Sequence, residues 1–311
     1  MDGIKDRSIK MVTVNELIKT ESNKPELFQA GSSACAGCAS VLALRWALKA
    51  LGPKTVVISP ASCANVYIGI WPKASAAVPY INMAFAAGAS AASGVVAGFE
   101  ALGKKDITVL TWAGDGGTVD IGIQALSGAI ERSTNFIYAC YDNEGYMNTG
   151  TQRSSSTPKH TKTTTTPMGE GMHKKDIAQI VAAHDIPYVA TCVATDPQEV
   201  YNTFSEAKEI QGAKFIHILS PCAPGWRFAA SRTTEIGDLA VKTGIFLLWK
   251  QVNGEMIINK RTQKYLDKKK RLPIEAYLNE QGRFGKLSPD QIQELQAWVD
   301  QRCEKLARQI H

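Results

Sequence analysis

The residues with the clearest chemical potential form a short turn, Gly114-Asp115-Gly116, which Gly117 extends. An apolar stretch precedes this turn and a helical pattern follows it, so the turn is predicted to join a strand to a helix. Glycines at such a turn let backbone N–H groups approach a phosphate, and a helix N-terminus favours negative charge. Asp115 would repel that phosphate unless a divalent cation lay between them. Mg²⁺ prefers such oxygen ligands.

A second oxygen donor, Asn143, follows the next apolar stretch, at 135–141. The spacing from Asp115 to Asn143 is that of one β-α-β unit, which places both residues at the same edge of a parallel sheet. The glycine turn alone is more often an ordinary turn than a cofactor site. Together with the asparagine it is more specific, and it predicts a site for a diphosphate and Mg²⁺.

Four of the seven cysteines stand in loops where a metal could be bound. Cys35 and Cys38 form a CxxC pair, whereas Cys63 and Cys222 each follow a predicted strand. Such a pair alone could be a redox dithiol, half of a zinc site, or a chance arrangement. One pair with two distant single cysteines is unusual for structural zinc and fits a buried [4Fe–4S] cluster better. The remaining cysteines are interpreted as ordinary buried or surface residues: Cys140, Cys192 and Cys303.

The fold class predicted from the alternation of strand and helix patterns is α/β, with a mostly parallel sheet and helices on both faces. Ligands in such folds bind at the carboxyl ends of the strands. Residues 1–30 are predicted to form an arm, 31–225 the diphosphate-binding domain with the four cysteines, and 226–311 an extension that packs on that domain or on a partner. We also expect a tightly packed helix over 83–102 and a polar surface loop over 154–167.

Composition excludes several classes of protein. The chain has 311 residues, 44% of them hydrophobic, and a net charge of +6, a mild excess that does not indicate nucleic-acid binding. The sequence has no apolar run long enough to cross a membrane and begins with a charged segment, so we expect a cytoplasmic protein. The basic run Lys268-Lys269-Lys270-Arg271 is either solvated surface or a docking patch for an acidic partner.

The motifs resemble those of one known family. The stretch from the glycine turn to Asn143 resembles the thiamine-diphosphate-binding signature, and the continuation YMNTG at 146–150 is similar to that of pyruvate:ferredoxin oxidoreductases. The cysteine motifs ACAGC at 34–38, SC at 62–63 and SPCAPGW at 220–226 resemble those of the beta subunits of 2-oxoacid:ferredoxin oxidoreductases. The resemblance covers about residues 25–300 and implies a thiamine-diphosphate-binding fold.

The resemblance also assigns roles to residues. It implies that Asp115, the Asn143 side chain and the Gly145 carbonyl hold Mg²⁺ on thiamine diphosphate, and that Asn148 lies near the reacting carbon and is catalytic. It implies that the four loop cysteines, Cys35, Cys38, Cys63 and Cys222, ligate a [4Fe–4S] cluster. The further residues that we predict to contact the cofactor are Gly114, Gly116, Gly117, Ser40, Cys63 and Val66.

The activity implied is that of an oxidoreductase that decarboxylates a small 2-oxoacid and passes electrons through the cluster to ferredoxin. Thiamine chemistry releases CO₂ and leaves electrons that a nearby cluster can accept one at a time. The chain holds no second α/β unit to supply the glutamate that activates thiamine. We therefore expect partner subunits of alpha and gamma or delta type.

The substrate is less constrained than the reaction. Ala39 and Ser40 follow ACAGC where pyruvate-using relatives have glycine and glutamate. The missing acidic charge would suit a more anionic substrate, and the chain overall resembles the beta subunits of oxalate oxidoreductases. We therefore favour oxalate slightly, with CO₂ and electrons as products. The alternative is pyruvate with acetyl-CoA as product. Two other possibilities are a non-redox thiamine-dependent decarboxylase and a cluster-bearing electron carrier with a degenerate cofactor pocket.

Overall fold

The computed structural model describes residues 11–21 and 24–309. Within them a central sheet is built from the strands β1 Thr55–Pro60, β2 Tyr80–Met83, β3 Thr108–Gly114, β4 Ile137–Asp142, β5 Tyr188–Val193, β6 Lys214–Leu219, β7 Trp249–Val252 and β8 Glu255–Ile258. The strand order is β2-β1-β3-β4-β6-β5-β7-β8. The pairs among β1–β6 are parallel, whereas β7 and β8 form an antiparallel hairpin at one edge.

The helices that cover the sheet are α1 Val14–Glu21, α2 Ala39–Leu51, α3 Cys63–Ile68, α4 Gly88–Ala101, α5 Ile123–Glu131, α6 Ile177–Ala182, α7 Pro197–Glu209, α8 Ala223–Trp226, α9 Thr233–Lys242, α10 Lys260–Leu266, α11 Glu275–Leu278 and α12 Pro289–Ala307. A short π-helical turn, Gly116–Asp120, stands between β3 and α5. No helix in the part of the chain that the structure describes is long and apolar enough to cross a membrane.

Both faces of the sheet are buried, which is why its central strands are apolar throughout. Tyr138 and Phe215 lie in the hydrophobic core on one face, and their neighbours Ile137 and Ile216 lie in the core on the other. Side chains alternate across a strand, so a strand that is buried on both faces has no polar side. The predicted α/β fold with a mostly parallel sheet is confirmed.

The C-terminal segment packs against one of these faces. Phe284, Leu295 and Val299 are buried in the same hydrophobic core as Tyr138 and Phe215. The segment ends in α12, which begins with a capping box: the Ser288 side chain accepts a hydrogen bond from the Gln291 backbone N–H, and the Gln291 side chain accepts one from the Ser288 backbone N–H. The boundaries predicted for the arm and the extension stay predictions.

Two local expectations were wrong. The segment 83–102 is not one helix, because β2 ends at Met83 and α4 begins only at Gly88. The β7–β8 hairpin was not predicted, because its strands are only four residues long. The polar stretch over 154–167 is not fully exposed: Ser154 and Thr157 are buried because their hydroxyls donate to Asp115 and to the Glu144 carbonyl.

The packing of α12 generates a stability prediction. Replacing Leu295 by alanine removes a buried side chain and leaves a cavity, so we expect the free energy of unfolding to fall by about 2–5 kcal/mol. Replacing the exposed Gln293 of the same helix by alanine should change it by less than about 0.5 kcal/mol. Urea denaturation of both variants measures the difference. Equal effects would mean that the core does not hold α12.

Candidate active site

The site lies at the carboxyl ends of β3 and β4. These strands pair in parallel with Gly114 opposite Tyr141, so Asp115 and Asn143 emerge next to each other at one edge of the sheet. The sequence spacing predicted this arrangement. The predicted helix after the turn differs in detail, because Gly116–Asp120 forms a π-helical turn before α5 begins at Ile123. Such turns occur frequently at functional sites.

Three oxygen atoms converge at this edge. One end of the Asn143 side-chain amide lies 2.8 Å from the Gly145 carbonyl oxygen and 3.0 Å from Asp115 Oδ1. In the structure this end of the amide is the oxygen atom, Oδ1. The amide nitrogen, Nδ2, lies 3.9 Å from Cys63 Sγ. Three acceptors this close need either a rotated amide that donates to the other two or a cation among them.

Asp115 is held in a strongly acidic surrounding. Its side chain is buried, and burial together with the nearby Asp142 carboxylate raises its pKa well above the usual range. The Ser154 hydroxyl donates to Asp115 and opposes this shift. A buried carboxylate needs a compensating positive charge to stay ionised, and a bound cation would supply it.

A cavity of about 530 Å³ opens beside these oxygens. Its wall contains the predicted cofactor residues Gly114, Gly116, Gly117, Cys63 and Val66, and also Asn148. Only glycine fits at position 116, because a Cβ there would lie 2.2 Å from the ring of Tyr146. The Tyr146 hydroxyl donates to Asp120 Oδ2 at 2.7 Å, which fixes the ring in this place.

The four loop cysteines line a second cavity, of about 270 Å³. Burial raises the pKa of Cys63 to about 11, with smaller contributions from Cys38 and Asp115. Burial raises the pKa of Cys222 to about 12, and the neighbouring Cys63 adds to it. In the described residues no group of three or more His, Cys, Asp or Glu side chains is arranged to hold a single metal ion. The cysteines therefore surround a space and do not meet at one point.

The two cavities share a wall made of Cys63, Val66, Asn143, Met147 and Asn148. Ser40 lies on the cysteine cavity alone, where its hydroxyl is 3.4 Å from Cys38 Sγ. Every predicted site residue therefore lines one of the two cavities. Ser40 is the one predicted cofactor residue that does not line the cavity beside Asp115. The predicted contact of Ser40 with the cofactor stays a prediction.

Sequence reasoning missed three contributors to this site: Phe85, Tyr146 and Ser154. Phe85 lines the cavity beside Asp115 and packs on the Tyr146 ring, and Ser154 contacts Asp115 from the polar loop. The run of three serines at 154–156 was the only signal for Ser154, and it is also typical of a solvated loop.

Comparison with known proteins identifies the family. A family model described as thiamine pyrophosphate enzyme, C-terminal TPP binding domain, matches residues 61–218. The chain is 43% identical over 286 residues to the pyruvate synthase subunit PorB of Methanothermobacter thermautotrophicus, covering 90% of this chain and 97% of the relative. It is 44% identical over 293 residues to the ketoisovalerate oxidoreductase subunit VorB of Pyrococcus horikoshii, covering 91% and 93%. The chain belongs to the 2-oxoacid:ferredoxin oxidoreductase family.

A solved structure agrees on the fold. The 2-oxoglutarate:ferredoxin oxidoreductase from Magnetococcus marinus matches with a TM-score of 0.57 and 19% identity, over 70% of this chain and 81% of that chain. Within the 2-oxoacid:ferredoxin oxidoreductase family this chain is a beta-type subunit that contains the thiamine pyrophosphate-binding domain. The matched span includes Asp115, Asn143 and Gly145, whereas Cys35, Cys38 and Cys222 lie outside it.

The partly buried thiols of Cys63 and Cys222 give a pH-dependent prediction. Because the thiolate is the reactive form, alkylation of Cys63 and Cys222 in the chain without bound metal should be slow at pH 7 and rise about tenfold per pH unit up to pH 10. Cys140 is fully buried in β4 and should stay unmodified throughout. Mass spectrometry of iodoacetamide-treated protein measures all three. Rates for Cys63 and Cys222 that level off below pH 9 would contradict the assignment.

Proposed function

We propose that this chain is the beta subunit of a pyruvate-type 2-oxoacid:ferredoxin oxidoreductase, with Mg²⁺, thiamine diphosphate and a [4Fe–4S] cluster as its cofactors. The observation that carries the proposal is the convergence of oxygens from Asp115, Asn143 and Gly145 at the mouth of a glycine-walled cavity. The second cavity, with its four cysteines, adjoins it through a shared wall.

A cation explains the oxygen cluster better than a rotated amide does. With the amide rotated, Asn143 Oδ1 would face Cys63 Sγ, and Asp115 would remain a buried carboxylate beside Asp142 without a cation in contact. With Mg²⁺ bound, all three oxygens become ligands, and the remaining positions of the octahedron are open to phosphate oxygens and water. The side-chain and carbonyl oxygens of this loop are thus suited to hold Mg²⁺ on a diphosphate.

The glycine turn is suited to hold the diphosphate itself. Gly116 leaves no side chain between its backbone and the cavity, and Gly117 lies against the ring of Phe85. Thiamine diphosphate, when bound, supplies the carbon nucleophile for the oxo group and retains the electrons that decarboxylation leaves. Asn148, on the wall common to both cavities, is placed to donate a hydrogen bond to the substrate, and we assign it the catalytic role.

The cysteine cavity is suited to a polynuclear cluster. Cys63 and Cys222 do not ionise readily by themselves, and iron supplies the positive charge that stabilises their thiolates. The wall of Cys63, Met147 and Asn148 is the direct route for electrons between the two cavities. Ferredoxin is the proposed final acceptor.

Partner subunits complete the site in this proposal. The cavity beside Asp115 is open, and Val66 on its wall keeps 47% of its surface exposed. Nothing on its described wall provides a glutamate for the thiamine pyrimidine ring: the acid there is Asp115. We infer that an alpha subunit covers this opening and brings the glutamate, and that gamma- or delta-type subunits hold further clusters.

The relatives favour pyruvate or a related 2-oxoacid and do not support the slight preference for oxalate. The similar curated subunits are named for pyruvate and ketoisovalerate. The charge argument rested on the glutamate that Ser40 replaces, and Ser40 is buried on the cysteine cavity and does not line the cavity beside Asp115. We therefore propose pyruvate, with acetyl-CoA, CO₂ and electrons as products.

The first test removes one charged oxygen. Asp115→Asn keeps the shape of the side chain but weakens its hold on a cation, so we expect Mg²⁺ affinity to fall by more than about 100-fold. Loss of an outer partner alone typically costs about 10–100-fold. Asp185→Asn, an exposed carboxylate, is the control and should bind like the parent. Mg²⁺ titration of thiamine diphosphate binding to the purified complex gives both values. Unchanged affinity in D115N would refute the metal site, and unchanged activity would favour the electron-carrier alternative.

The second test concerns redox chemistry and substrate. The complex purified without oxygen should absorb broadly in the visible range and reduce a low-potential dye with pyruvate, and this reduction should require coenzyme A. With 2-oxoisovalerate the rate should be lower, and with oxalate there should be no reduction above background. A colourless complex that releases CO₂ from pyruvate without reducing the dye would establish the non-redox decarboxylase instead.

A further inference from the structure

A group of buried charges lies directly behind the proposed metal site. The Asn143 loop, residues 142–145, contains two acidic side chains besides the proposed ligands, and both are buried. Glu144 Oε1 lies 2.6 Å from Lys174 Nζ, and Glu144 Oε2 lies 2.6 Å from a guanidinium nitrogen of Arg283. Asp142 Oδ2 lies 2.8 Å from His217 Nε2. None of these groups has a part in the proposed reaction.

Glu144 has an unusual backbone conformation. Its φ angle is +64°, in the left-handed region that non-glycine residues rarely adopt. It stands between Asn143 and Gly145, and its N–H donates to Asp142 Oδ1 at 2.9 Å. This left-handed residue turns the chain so that the Asn143 side chain and the Gly145 carbonyl face the same point. A strained residue of this kind persists only when its surroundings hold it in place.

Lys174 holds one oxygen of the Glu144 carboxylate, and the C-terminal segment holds the other. Arg283, between α11 and α12, is 1% exposed, and its guanidinium lies 3.8 Å from the centre of the Trp226 ring. Trp226 in turn donates from Nε1 to the Asn143 carbonyl oxygen at 2.7 Å. The stacked pair of Arg283 and Trp226 therefore holds the Asn143 loop at two points, the Glu144 carboxylate and the Asn143 carbonyl.

We propose that Arg283 is a positioning residue for the Mg²⁺ site. Through its ion pair with Glu144 and its stacking on Trp226, it fixes the turn that aims the oxygens of Asn143 and Gly145 at Asp115. Outer partners that orient metal ligands commonly act in this way. The inference rests on the proposed function, because it assigns this role toward a Mg²⁺ ion at those oxygens.

The direction in which Mg²⁺ affinity changes when Arg283 is replaced distinguishes a positioning role from a purely electrostatic one. Arg283 carries a positive charge close to a proposed cation site, so its removal should strengthen Mg²⁺ binding if only the charge mattered. If Arg283 positions the loop, its removal should weaken Mg²⁺ binding in spite of the more favourable charge. Arg283→Met, which keeps much of the side-chain volume, distinguishes the two.

The experiment uses the purified complex with its cofactors removed. We would titrate Mg²⁺ at saturating thiamine diphosphate, follow binding by circular dichroism, and measure the melting temperature of each cofactor-free variant. We expect R283M to raise the half-saturating Mg²⁺ concentration about 10–100-fold. Arg283→Lys, which keeps the charge but loses the planar fork, should give a smaller rise.

A matched control is available in the same segment. Arg271 is a buried arginine whose guanidinium pairs with Asp300 at 2.7 Å, and neither residue lines the two cavities. Arg271→Met should lower the melting temperature without changing the Mg²⁺ requirement. If R283M and R271M lower the melting temperature alike and neither changes the Mg²⁺ requirement, Arg283 is structural only and the inference is wrong. Tighter Mg²⁺ binding by R283M would also overturn it.

A milder variant keeps the test valid if R283M does not fold. Trp226→Phe keeps a ring beneath Arg283 but removes the Nε1 donor to the Asn143 carbonyl, so we expect a smaller rise in the same direction. An unchanged Mg²⁺ requirement in W226F would then count against the inference. If the parent complex itself binds thiamine diphosphate without Mg²⁺, the proposed function fails. If the parent requires Mg²⁺ and the variants behave like it, only the positioning role fails.

Discussion

The close approach of three polar groups is the constraint on which the site depends. The Asp115 carboxyl, one end of the Asn143 amide and the Gly145 carbonyl oxygen meet in one small, buried space, where polar groups need partners. The parallel pairing of β3 and β4 brings the first two together, and the left-handed turn at Glu144 adds the third. The proposed divalent cation would make this arrangement a binding site, and it would also explain why an acid stands in a turn suited to phosphate.

The cysteines and the oxygen-bearing residues lie at the same edge of the sheet. The carboxyl ends of β1 and β6 lead to Cys63 and Cys222, and those of β3 and β4 lead to Asp115 and Asn143 of the proposed metal site. As a result Cys63 and Asn148 stand on the wall between the two cavities. A cofactor that releases electrons and a cluster that accepts them would thus be neighbours, because adjacent parallel strands all end at this edge. The fold itself sets the distance between them.

The sequence predicted the parts of the site that depend on local order and strand topology. Asp115 and Asn143 were found because each follows an apolar strand, and the cysteines because CxxC and the two strand ends mark loops. Ser154, Trp226 and Arg283 were not assigned to the metal site, because their contacts with it join positions far apart in the chain and leave no periodic pattern. The preference for oxalate failed for a similar reason: Ser40 lies two residues after Cys38, but its burial on the cysteine cavity, away from the cavity beside Asp115, could not be inferred from that.

Anomalous X-ray scattering from crystals of the complex soaked with Mn²⁺ and thiamine diphosphate tests the central claim most directly. Mn²⁺ prefers the same oxygen ligands as Mg²⁺ and can be located by its absorption edge. The account predicts one strong peak at about 2.0–2.2 Å from Asp115 Oδ1, Asn143 Oδ1 and the Gly145 carbonyl oxygen, with phosphate oxygens as further ligands. A Mn²⁺ peak elsewhere, with the Asn143 amide nitrogen donating to Asp115 and Gly145, would contradict it.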